Sequence, residues 1–258
     1  MTDLSFVQYV LIALIFIWSG FVRSGLGFGG AVLSLPFLLL VENQPLVYLP
    51  LIAVHLLVFS SLTIVLNNRK RKAPGQPMVG TVDWSYLWRI LAIMIVPKMI
   101  GVLGLLTLPA NIMSAIIFSI VGLYSISYIL DKPFRSNSKL VDGAFLMLGG
   151  YISGTSLIGA PLVIAVVAQH LPKEKLRDTL FALWFILVTI KMAAFIYAGV
   201  DLQLIHHLWL LPCAAIGHVV GLRFHERMLT AETPVFYRLL GATLLLISCI
   251  GLWRGLAG

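Results

Sequence analysis

Residues 23–30, Arg23-Ser24-Gly25-Leu26-Gly27-Phe28-Gly29-Gly30, cut a strongly apolar segment in two. Before the cut, residues 4–22 are about the length of one membrane-spanning helix. After it, a short apolar run ends near Val41. As helix, residues 31–41 would extend only about 16 Å, roughly half the hydrocarbon thickness of a bilayer. Glycine-rich backbone at that depth is tolerated only where protein or a watery cavity surrounds it. A buried break is therefore expected, in preference to a tight cytoplasmic turn between two tilted helices.

The same pattern recurs downstream. Ser153-Gly154-Thr155-Ser156-Leu157-Ile158-Gly159-Ala160-Pro161 interrupts a second apolar segment, which resumes to His170. Three full-length apolar stretches follow each break: 45–66, 84–106 and 109–130, then 179–199, 204–222 and 234–253. The matching order predicts an internal repeat, with 1–130 and 140–258 as the two membrane halves and 131–139 as a polar linker. The fold expected is an all-α integral membrane protein. It has two inverted repeats, each a broken-helix pair, either a re-entrant hairpin or two crossings, followed by three transmembrane helices.

Composition points the same way. The 258 residues are 60% hydrophobic and 11% charged, against about 25% charged in a soluble domain. Residues 4–22 read as a span and not a removable signal, because Met1-Thr2-Asp3 offers no basic leader. The net charge of +8 does not imply nucleic acid. Twelve of the 18 Lys and Arg fall in four connections, around Arg69–Lys72, Lys132–Lys139, Lys173–Arg177 and Arg223–Arg227, the retention signal of cytoplasmic loops. If 4–22 and 27–41 enter and leave on one face, all four basic connections fall on the opposite face. Both termini are then expected outside, in a bacterial inner membrane. Cys213 and Cys249 stand alone in apolar segments, and no cofactor or metal is expected.

The informative residues are cations without anions. Arg23, Lys98 and Lys191 lie inside or beside apolar runs, whereas every Asp and Glu sits at an edge or in a connection. Ionisable groups at membrane depth normally face a partner or a water-filled pathway. The expected partner is a small anionic substrate. Lys98 follows Pro97, and Pro97-Lys98-Met99-Ile100-Gly101 resembles Gly217-His218-Val219-Val220-Gly221, so Lys98 and His218 are candidate symmetry mates. Gly25, Gly27, Gly29 and Gly30 let backbone N–H groups approach a ligand, and a helix starting near Ala31 would aim its positive end there. Close helix packing through small residues is the competing use. Ser153, Gly154, Thr155, Ser156 and Gly159 supply hydroxyls and backbone donors at the second break; capping broken helix ends is their competing use. Gly25, Gly27 and Gly30 also match G-x-G-x-x-G, but that fingerprint needs a βαβ context absent here. His55 and His218 are candidate proton carriers. His206 and His207 are expected at the interface, and the tryptophans in an aromatic belt.

Together, Gly25-Leu26-Gly27-Phe28-Gly29-Gly30 with Pro36, Gly159-Ala160-Pro161 and the two-half arrangement resemble the TauE/SafE family of sulfite exporters over nearly the whole chain. The resemblance implies a transporter of sulfite, organosulfonates or related small sulfur-containing anions across bacterial inner membranes. The chain departs from the family at Leu157-Ile158-Gly159-Ala160, where glycines usually run. An enzyme is not expected, since no H-E-x-x-H, G-x-S-x-G or Asp pair occurs. Export is expected, because an anion leaves a negative interior downhill. An anion channel and a proton-coupled importer are the alternatives, and a homodimer is compatible with everything above.

Overall fold

The computed structural model describes residues 4–26, 30–70, 81–132, 134, 138–230 and 234–257. In the first half the helices are α1 (Phe6–Leu26), α2 (Leu35–Val41), α3 (Pro45–Lys70), α4 (Trp84–Thr107) and α5 (Ala110–Ile129). In the second they are α6 (Lys139–Ser156), α7 (Ala160–His170), α8 (Lys173–Tyr197), α9 (Leu204–Thr230) and α10 (Pro234–Ala257). Among the described residues there is no strand. Apolar sequence in lipid must satisfy its backbone within each segment, and helices do this. Among the described residues seven helices are long and apolar enough to cross a membrane, and the chain is a multi-pass membrane protein.

Local chemistry sets the helix ends. The Asp83 carboxylate accepts from Tyr86 N at 3.1 Å and opens α4; that bond holds its carboxyl below the usual carboxylate range. Ser138 Oγ accepts from Val141 N at 3.3 Å and opens α6. Proline stands in the first turn of both α2 and α7, where its missing N–H costs nothing.

Each broken pair folds back on itself. Trp18 Nε1 donates to the Leu33 carbonyl at 3.2 Å, and Gln8 Nε2 to the Val41 carbonyl at 3.2 Å, so α2 ends beside the start of α1. In the second half, His170 at the end of α7 lies 2.9 Å from Asp142 near the start of α6. The two hairpins thus close at equivalent places. The first differs from expectation in one respect: after Gly30 the chain makes turns through Ser34, and α2 begins at Leu35, not near Ala31. Its N-terminus is therefore not the donor expected there. Gly27 and Gly29 lie outside the described residues.

Packing pairs the halves reciprocally. Helix α1 runs parallel to α9, and α4 runs parallel to α6; the first helix of each half is gripped by the fourth helix of the other. Both seams depend on missing side chains. A Cβ on Gly217 would overlap the Ile17 carbonyl oxygen, and one on Gly154 would overlap that of Lys98. Helix α3 packs on α8, and α5 packs antiparallel on α10, again like on like.

Candidate functional site

The two breaks meet at one cavity of about 40 Å³. Ser19, Arg23 and Gly30 line it from the first hairpin; Ser153, Leu157 and Ala160 line it from the second. Ser60 of α3 and Phe181 and Trp184 of α8 complete much of the wall. A void this size has room for about three waters, and its wall is mostly apolar apart from Ser19, Arg23, Ser60 and Ser153. Leu157 ends α6 in the left-handed region, with φ 62°, a conformation that costs a non-glycine residue about 1–2 kcal/mol. Such strain clusters at binding and switching sites.

Arg23 is the charged group on the wall. It is 8% exposed, its Cζ sits 4.5 Å above the Phe59 ring, and Nε and Nη2 have no hydrogen-bond partner among the described residues. The cation–π contact offsets about 2 kcal/mol when desolvated, well short of the cost of burying a guanidinium. Arg23, expected from the sequence inside or beside an apolar run, is buried in the fold.

Lys98 and Lys191 do not line the cavity but grip the second break from behind. Both are fully buried. Lys98 Nζ donates to Ser153 Oγ at 3.4 Å, and Lys191 Nζ to the Thr155 carbonyl at 3.3 Å. Lys191 also lies 5.5 Å from the Phe195 ring centre. None of the three cations is in an ion pair among the described residues; the pairs Asp142–His170 and Asp83–Lys175 lie elsewhere. The first hairpin repeats the lysine–serine contact in another chemistry. His218 Nδ1 is 2.5 Å from Ser24 Oγ, next to Gly25, as Lys98 meets Ser153, next to Gly154. Lys98 and His218 therefore occupy matching positions. His218 Nε2 is buried without a partner among the described residues.

Other expected donors have structural duties. Thr155 Oγ1 and Ser156 Oγ both donate to the Ile152 carbonyl at 3.0 Å, closing the end of α6. Gly154 and Gly159 admit backbone carbonyls from Lys98 and Gly149. Gly25 sits in the α1–α9 seam under Gly221.

Sequence reasoning missed several residues. Trp184, assigned to an interfacial belt, is 9% exposed and lines the cavity. His207, assigned to the interface, is buried beside His55. Asp178 is near a segment edge in the sequence, yet is 3% exposed. It does not line the cavity. Its neighbour Thr179 accepts from Asp83 N at 2.9 Å, near the start of α8.

A family model described as sulfite exporter TauE/SafE matches residues 11–252. No curated protein and no solved structure matches the chain.

Proposed function

Because the chain belongs to the TauE/SafE family of sulfite exporters, we propose that it carries a small sulfur oxyanion through the cavity where its two breaks meet. Arg23 binds the anion directly. Gly30 and Ser153 contribute neutral donors, Ser19 holds the Gly30 carbonyl, and Lys98 and Lys191 add positive potential from behind the second break. The observation that carries this reading is a buried guanidinium, with two nitrogens unpartnered among the described residues, on the wall of a mostly apolar cavity. A guanidinium fork matches the geometry of an oxyanion.

The packing directions support inverted halves. Helix α1 is parallel to α9, and α10 antiparallel to α5. Successive crossings alternate, so α9 opposes α10 and α4 opposes α5. Helix α6 is parallel to α4, and α1 and α6 then run in opposite senses. This trace keeps the basic connections on the cytoplasmic side of the inner membrane and both termini outside. A broken hairpin enters from each side, and the cavity opens alternately to each.

The direction is outward. With the interior negative, net negative charge leaves downhill by about 2.3 kcal/mol per charge at 100 mV. In vesicles, efflux of sulfite is expected to speed up when the internal side is made negative and to saturate with substrate. Counter-flow of labelled sulfite against unlabelled separates a carrier from a channel. Efflux indifferent to voltage overturns the electrogenic reading.

The anion class is tested by melting purified protein against sulfite, thiosulfate, methanesulfonate, carboxylates and phosphate. An anion at about 100 times its Kd stabilises the folded state by about 2.7 kcal/mol. Lys98→Met and Lys191→Met are each expected to cut that shift by at least half. An undiminished shift in both removes the lysines from the site.

A further inference from the structure

Another concentration of titratable groups lies on the α3–α9 side of Arg23. His55 of α3 and His207 of α9 are 2% and 6% exposed, and their rings stand 5.4 Å apart. One nitrogen of each ring is committed. His55 Nδ1 is 2.5 Å from the Leu51 carbonyl, and His207 Nε2 is 3.2 Å from the Leu202 carbonyl. A carbonyl can only accept, so each of these nitrogens carries a hydrogen. In the neutral pair, His55 Nε2 and His207 Nδ1 are then both bare acceptors. Both are buried without a hydrogen-bond partner among the described residues. The Leu210 carbonyl faces His55 as a further acceptor. Several acceptors converge here, and neither bare nitrogen meets a donor among the described residues.

We propose that the His55–His207 pair binds one proton together with each anion held by Arg23. This rests on the anion site proposed above. One proton gives the pair the donor it lacks, and one ring then satisfies the other or the Leu210 carbonyl. Arg23 of α1 is within electrostatic reach of His55, and the charged and titratable groups acting on the pair are Arg23 and His206; α5 and α8 contribute none among the described residues. Two cations within electrostatic reach repel each other in a medium of low permittivity. An anion on Arg23 cancels that repulsion, so anion and proton favour each other's binding reciprocally. Position adds to the argument. Ile52 and Leu56, which flank His55 on α3, line the cavity, while His207 sits near the start of α9 beside the Asp201–Gln203 connection. The pair therefore stands between the cavity and that connection. A divalent oxyanion carried with one proton still moves net negative charge outward. A monovalent one moves none.

The test counts protons. Thiosulfate and methanesulfonate stay ionised through the neutral range, so binding calorimetry in buffers of different ionisation heat reads protons taken up by the protein alone. About one proton per anion is expected, with affinity rising up to tenfold for each pH unit of acidification. His55→Asn keeps a donor for the Leu51 carbonyl and is expected to bind with the proton count near zero. His207→Gln guards against misfolding of the first variant and is expected to behave alike. Binding without proton uptake, or uptake unchanged in a folded variant, overturns the proton site alone. Failure of both anions to bind overturns the anion site beneath it.

Discussion

Arg23→Met is expected to separate stability from binding in opposite directions. Without anion, the variant melts higher than the parent chain, because methionine removes a buried charge that the Phe59 face offsets only in part and that leaves two nitrogens unpartnered among the described residues. With sulfite or thiosulfate, the melting point no longer moves. Losing one partner of a buried ionic contact costs about 3–5 kcal/mol, a hundreds- to thousands-fold loss of affinity. Arg23→Lys restores charge but not the planar fork, so it recovers part of the affinity. Thermal melts with and without anion, joined to vesicle efflux, check the whole pattern. A variant that melts lower without anion and keeps its anion shift removes Arg23 from the site.

Gly217→Val is expected to produce the largest loss of stability in the molecule. Its side chain would begin on top of the Ile17 carbonyl oxygen and within 2.8 Å of Phe21 N, both backbone atoms that cannot swing aside. Helix α1 must move away from α9. Overpacking a tight contact costs about 1–3 kcal/mol where neighbours yield, and here they do not. Displacing α1 also takes Ser24 from His218 and Arg23 from the cavity. The protein should fail to extract as a monodisperse species, or melt far below the parent chain. Gly143→Ala is the control, because nothing lies within 4 Å of a Cβ there. Equal stability of the two variants would show that the seam does not hold the fold together.

The membrane fold could be read from apolar run lengths because lipid leaves few backbone options. What hydropathy missed is where helices outlast the hydrocarbon. Helix α8 starts at Lys173, not near residue 179, because its polar first turns remain helical beyond the apolar part. Helices α3 and α9 extend past their apolar parts to Lys70 and Thr230 for the same reason. In the site, Arg23, Lys98 and Lys191 were legible because an unanswered charge in an apolar run has few bland uses. Trp184, Phe181 and His207 were not. Their burial depends on which helix faces which, and an apolar helix in lipid shows little periodic difference between its faces. The match of Lys98 with His218 was visible through the shared Gly101 and Gly221 spacing. Ser24 as the counterpart of Ser153 emerged only with the contacts.

The reciprocal grip of α1 by α9 and of α6 by α4 has an evolutionary corollary. Neither half can be finished alone, since each one's hairpin leans on a rail supplied by its sibling. A single-length ancestor with this architecture would have been obliged to assemble as two interlocked copies. Were the halves once separate, joining them in one chain would free each rail to specialise, one presenting Lys98 to Ser153 and the other His218 to Ser24.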